Sequence, residues 1–202
     1  MVRVALTGGL ATGKSYVTRA LTARGIPTID ADALAREAIA PGSAGARAVV
    51  DRFGDAVRAP DGAIDRRALA RIVFADPDAR RDLEAIVHPY VYERIDAWFR
   101  AVESPDGFAV AEIPLLFETG RERDFDQVIV VACAPERQVE RAVARGNVDE
   151  ADARARLAAQ WPIGEKVGRA DYVIHTDGTF AETDDQIARV VEALRREAQA
   201  RG

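Results

Sequence analysis

The stretch Thr7-Gly8-Gly9-Leu10-Ala11-Thr12-Gly13-Lys14-Ser15 follows the apolar run Val2–Leu6. It holds three glycines and one of the only two lysines in the chain, Lys14 and Lys166; every other basic residue is an arginine. Gly8, four residues, then Gly13-Lys14-Ser15 fits the pattern G-x-x-x-x-G-K-S/T. Glycines let successive backbone N–H groups turn inward without Cβ clashes and form an anion nest. A helix starting near Gly13 adds its unpaired N–H groups and its dipole. Lys14 can reach the β- and γ-phosphates of a nucleoside triphosphate, and the Ser15 hydroxyl can bind Mg²⁺.

Outward from this loop, the pattern alternates strand and helix. Val2–Leu6 reads as a buried strand, Gly13–Arg24 as a helix stopped by Gly25, and Ile26–Ile29 as a second strand running into Asp30-Ala31-Asp32. From Asp32 to about Glu103 the pattern is helical, with Pro89 inside its last helix. Phe108–Ile113 and Gln127–Ala132 are nearly continuous apolar runs, as expected of strands buried on both faces of a parallel sheet. Two charged helices are expected over 135–145 and 149–160, a fifth strand over 171–175, and a closing helix over 179–201. This order predicts a doubly wound α/β fold with a five-stranded parallel sheet. Its core takes residues 1–32, 104–134 and 163–202; residues 33–103 form an inserted helical lobe and 135–162 a small helical lid.

The 202 residues are 48% hydrophobic and 30% charged, ordinary for a soluble globular protein. A net charge of −5 argues against a broad nucleic-acid surface. No apolar run approaches the ~18 residues that span a membrane, and the start of the chain has no signal-peptide pattern. With one cysteine, Cys133, in an apolar run, no internal disulfide forms. A cytoplasmic enzyme with no obligate protein partner is expected.

A phosphate loop specifies a nucleotide and leaves the reaction open. A GTPase calls for N-K-x-D after the fourth strand, where this chain has Ala134-Pro135-Glu136-Arg137. A motor ATPase is usually longer. A regulator that binds nucleotide without chemistry, or a kinase for another small alcohol, stays open at this point. Asp32 follows the second strand, on the sheet edge where ligands of open parallel sheets gather. Its carboxylate can accept a proton from a substrate hydroxyl; alone, it also reads as a helix cap. Asp30 reads as structural.

Six segments in order, TGGLATGKS, PTIDAD, RRALARIVF, HPYV, EIPLLFE and ADYVI, resemble the dephospho-CoA kinase family, over about Val4 to Gly178. The resemblance implies a P-loop kinase core, ATP and Mg²⁺, and transfer of the γ-phosphoryl to the ribose 3′-hydroxyl of dephospho-CoA. It implies that Ala11, Thr12, Gly13, Lys14, Ser15 and Tyr16 wrap the ATP phosphates, with Ser15 on the metal. Asp32 would be the general base, with Thr7 nearby, and Arg141 would meet the transferring phosphate. His88 would border the substrate, as would Leu115 and Glu118 in the turn Pro114–Glu118; Glu112 is the alternative carboxylate there. Alone, His88 reads as a packed helix-face residue, and Arg141 and Arg145 as a solvated face. Gln160 and Lys166, beside the return of the lid, can touch phosphate; taken alone, each reads as a solvated position. The chain departs from the family at Ala11, where glycine is usual and alanine calls for a negative φ. It departs again at Tyr16, whose ring must point away from the phosphates or stack near the nucleotide.

Overall fold

In the computed structural model, residues 1–146 and 148–201 are described. They fall into two compact units, 1–29 with 102–202, and 30–101.

The first unit is built on β1 (Val2–Gly8), β2 (Thr28–Asp30), β3 (Phe108–Glu112), β4 (Gln127–Ala132) and β5 (Tyr172–His175), in the order β2-β3-β1-β4-β5. β1 pairs in parallel with β3 (Val4↔Val110) and with β4 (Leu6↔Ile129), and β4 in parallel with β5 (Val131↔Ile174). The first strand is therefore central. The sheet is extended from it in both directions, so the carboxyl end of β1 is a topological switch point, where open α/β sheets bind ligands. The phosphate loop lies there.

Alternation along β1 explains its depth. Val2, Val4 and Leu6 join one core with Val17 and Leu21 of α1 (Lys14–Ala23) and Ile187, Val191 and Leu194 of α9 (Phe180–Arg201). Ala5 and Thr7, on the opposite face, are equally buried. A strand covered on both faces reads as a nearly continuous apolar run, interrupted in β1 only by the half-buried Arg3 near its start and by Thr7 near its end. β1 runs two residues past its apolar run because Gly8 pairs with Val131; a Cβ on Gly8 would lie 2.3 Å from the Val131 carbonyl oxygen. β2 starts at Thr28, later than Ile26, because Pro27 has no N–H to pair; its carbonyl accepts the Val110 N–H. α6 (Pro135–Ala144) and α7 (Glu150–Ala158) follow β4. A further short helix, α8 (Ile163–Val167), was not expected; five residues are too few to show a periodic stripe.

The second unit holds α2 (Ala31–Ala38), α3 (Ala44–Phe53), α4 (Arg66–Ala75) and α5 (Pro77–Ala101). It begins at Asp30, a little before the expected 33, because Asp30 is the cap of its first helix. Asp30, Ser43 and Asp65 each accept a backbone N–H from the first turn of α2, α3 and α4. Val87, Val91 and Ile95 fall one turn apart on the buried face of α5, which passes Pro89 without ending. Burial of each contributes roughly 1.5–3 kcal/mol.

Candidate active site

Gly13 turns the chain from the loop into α1 with φ 96°, a left-handed conformation natural to glycine. Lys14 and Ser15 follow in the first helical turn, and Ser15 is exposed. Lys14 Nζ donates to the carbonyl of Gly9 at 2.8 Å and reaches that of Gly8 at 3.5 Å. Thr12 is fully buried: its hydroxyl donates to the Gly9 carbonyl, and its own carbonyl accepts the Thr176 hydroxyl at 2.7 Å.

Ala11 departs from expectation. Its φ is +51°, positive where a negative value was anticipated. Left-handed backbone costs an L-residue roughly 1–2 kcal/mol. The offset lies in packing, since the Ala11 methyl is buried with Val139 and Ala142 of α6 and Ala153 of α7. The Ala11 methyl thus forms part of the apolar contact between the loop and α6 and α7.

Tyr16 packs toward α9. Its hydroxyl donates to Asp184 at 3.0 Å and its ring lies 4.9 Å from that of Phe180. Desolvation, then the Asp184 carboxylate, push the phenol above its ordinary pKa. Tyr16 and Phe180 line a cavity of about 490 Å³ together with Ala11, Gly13, Arg141, Arg145, Thr176 and Thr183. That size is in the range of small-ligand pockets. Arg141 donates to the Thr176 hydroxyl at 2.9 Å and to its carbonyl at 2.6 Å. Of the expected loop and lid residues, the structure therefore brings Ala11, Gly13, Tyr16 and Arg141 to one cavity.

Thr7 is fully buried, and its hydroxyl donates to the Pro114 carbonyl at 3.2 Å, tying β1 to the turn after β3. Leu115 in that turn is 39% exposed. Glu118 is turned inward: Oε1 pairs with Lys166 Nζ at 2.7 Å and accepts the Trp161 N–H at 3.1 Å. Glu112 accepts the Thr18 hydroxyl at 2.6 Å. Lys166, expected as a solvated position, is fully buried, and Gln160 accepts the Leu10 N–H at 2.9 Å. The scarcity of lysine in an arginine-rich chain, with Lys166 one of two, is the sequence signal that marks it.

Asp32 and His88 belong to the second unit. Asp32 is exposed in the first turn of α2, and its N–H is capped by Asp30 at 2.8 Å; the helix cap is thus Asp30. His88 is half-buried, edge-on to Tyr92 at 5.5 Å.

As a cation site, the loop offers the Ser15 hydroxyl at a helix N-terminus, and no group of three or more His, Cys, Asp or Glu side chains converges among the described residues. Mg²⁺ commonly takes one or two protein oxygens and fills its octahedron with phosphate and water. A single hydroxyl beside a phosphate nest fits that habit.

The family model described as dephospho-CoA kinase matches residues 2–182. A protein of Gloeobacter violaceus named dephospho-CoA kinase is 47% identical over 189 residues, covering 94% of this chain and 91% of its own. The crystal structure of TT1252 from Thermus thermophilus superposes with a TM-score of 0.83 at 36% identity, over 95% of this chain and 96% of that one. The dephospho-CoA kinase from Campylobacter jejuni does so with a TM-score of 0.71 at 25% identity, over 96% and 98%. The switch-point loop sits on a sheet shared with those structures, and the sequence match runs through nearly every element around it; the chain belongs to the dephospho-CoA kinase family.

Proposed function

We propose that this chain transfers the γ-phosphoryl of ATP to the ribose 3′-hydroxyl of dephospho-CoA, giving coenzyme A. The observation that supports it most is the extent of the family match, which takes in the loop, Asp32 and the turn 114–118 within residues 2–182.

The triphosphate rests on the N–H groups of the loop from Ala11 to Tyr16, with Lys14 leaving the Gly9 carbonyl for the phosphates. The nucleoside enters the cavity walled by Tyr16 and Phe180. Arg141, steadied by Thr176, offsets charge on the phosphates. The Ser15 hydroxyl would hold Mg²⁺, which would supply positive charge against the phosphate oxygens. Asp32 takes the proton of the acceptor hydroxyl, while Asp30 caps α2 by accepting the Asp32 N–H. His88 and Leu115 border dephospho-CoA, and Thr7 acts by holding the 114–118 turn. The 135–162 segment serves as the lid that keeps water from the γ-phosphoryl. Positioning and electrostatics supply most of the rate.

No helix among the described residues is long and apolar enough to cross a membrane. The proposal takes the chain as a cytoplasmic enzyme acting on small molecules. The test is ADP release from Mg·ATP with a panel of acceptors: dephospho-CoA, a nucleoside, shikimate and gluconate. Turnover with dephospho-CoA alone is expected. Brisk turnover with another acceptor and none with dephospho-CoA overturns the proposal.

A further inference from the structure

We propose that Lys166 is a positioning residue for nucleotide binding: it holds the phosphate loop from beneath by its Gly8 carbonyl, with Glu118 as its counter-ion. The inference rests on the nucleotide-binding part of the function proposed above and not on the identity of the acceptor.

Lys166 is fully buried. Its Nζ lies 2.7 Å from Glu118 Oε1 and 3.5 Å from the Gly8 carbonyl oxygen. Glu118 is itself nearly buried, 14% exposed, and its Oε2 has no hydrogen-bond partner among the described residues. Glu118 Oε1 also accepts the backbone N–H of Trp161, whose ring stacks on Phe117 at 6.2 Å and lies under the Arg169 guanidinium at 4.8 Å. Two ions buried in this way lose their hydration, and apolar replacements of such pairs are often no less stable. Stability alone therefore does not account for a lysine here.

The loop supplies the reason. Its N–H groups face an anion, so its carbonyls must face away, and they need partners there. Lys14 reaches the Gly8 and Gly9 carbonyls. When Lys14 swings to a phosphate, that cation is withdrawn. Lys166, held by Glu118, would stay on the Gly8 carbonyl. Gln160 completes the grip by accepting the Leu10 N–H, which fixes the strand-to-loop bend one residue past Gly9.

The test compares wild type, the double variant Lys166→Met/Glu118→Leu, and Lys166→Arg. The double variant removes both charges, so no lone ion is left buried. Readouts are ADP affinity by calorimetry, KM for ATP and kcat by steady-state kinetics, and the melting temperature. The double variant should melt near wild type yet bind ADP about tenfold to a hundredfold more weakly, the equivalent of one charge-assisted hydrogen bond. KM for ATP should rise with it, and KM for the acceptor should not. Lys166→Arg, which keeps a cation over the carbonyl, should fall between the two, and it carries the test if the double variant does not fold. Wild-type ADP affinity in a folded double variant overturns the proposal, as do affinity losses that merely follow melting temperature across both variants. A wild-type protein that binds ADP but makes no coenzyme A overturns the acceptor assignment and leaves this test intact.

Discussion

Arg141 grips Thr176 twice, through the hydroxyl at 2.9 Å and the carbonyl at 2.6 Å, and Thr176 in turn donates to the carbonyl of Thr12 in the phosphate loop. A guanidinium on α6 is thereby indexed to the loop through one hydroxyl. If Arg141 offsets phosphate charge during transfer, Arg141→Ala should lower kcat by about 10²-fold or more, given the roughly 10³–10⁵ attributed to arginines that close on a transferring phosphoryl group. Thr176→Val keeps the arginine and removes its index, so a smaller fall of about tenfold is expected, of the size of one hydrogen bond. Steady-state rates of the two variants check the order; an unchanged kcat in Arg141→Ala contradicts the role.

Ala11 combines a left-handed backbone with a buried methyl group. Ala11→Gly relieves about 1–2 kcal/mol of strain. It loses about 0.8 kcal/mol of burial and about 0.4–1 kcal/mol through the freer unfolded chain. These nearly cancel, so urea unfolding should show a change of less than about 1 kcal/mol. Ala11→Val, β-branched at positive φ, should be destabilised by well over 1 kcal/mol. Equal stabilities for the two variants would contradict the balance drawn here.

Tyr172 donates to Glu197 at 2.5 Å. Desolvation first, then that carboxylate, raise its pKa to about 12. The folded value lies above the unfolded one of about 10. Its contribution to stability is therefore fully present below about pH 10 and is lost as pH rises through about 12. Ultraviolet titration of phenolate should show a late-ionising tyrosine that disappears in Tyr172→Phe. Complete tyrosine ionisation around pH 10 in the folded protein contradicts this.

Asp32 carries the proposed proton transfer. Asp32→Asn should lower kcat by about 10²–10⁴, the range for general-base catalysis, and leave ADP affinity within about twofold of wild type. Turnover near the wild-type rate would rule out Asp32 as the base and leave the family unaffected. A nucleotide-dependent switch with no chemistry would also survive this substitution.

Much of the fold was legible because buried parallel strands announce themselves. Phe108–Glu112 and Gln127–Ala132 are apolar on both faces, and the bracketing helices carry single stripes. The loop was legible because few residue types tolerate its geometry. Partners distant in sequence were not legible. Nothing local ties Glu118 to Lys166 or Gln160 to Leu10: the first pair forms only when the segment before β5 meets the turn after β3, the second only when that segment meets the phosphate loop. Ala11 misled for a related reason: its φ follows from Val139, Ala142 and Ala153, which the loop sequence does not contain.

The central claim is tested most directly by following the label from γ-phosphoryl-labelled ATP in the presence of dephospho-CoA and Mg²⁺. The prediction is one labelled coenzyme A for each ATP consumed, with the label on the ribose 3′-oxygen. Label released as inorganic phosphate, with dephospho-CoA unchanged, would contradict it.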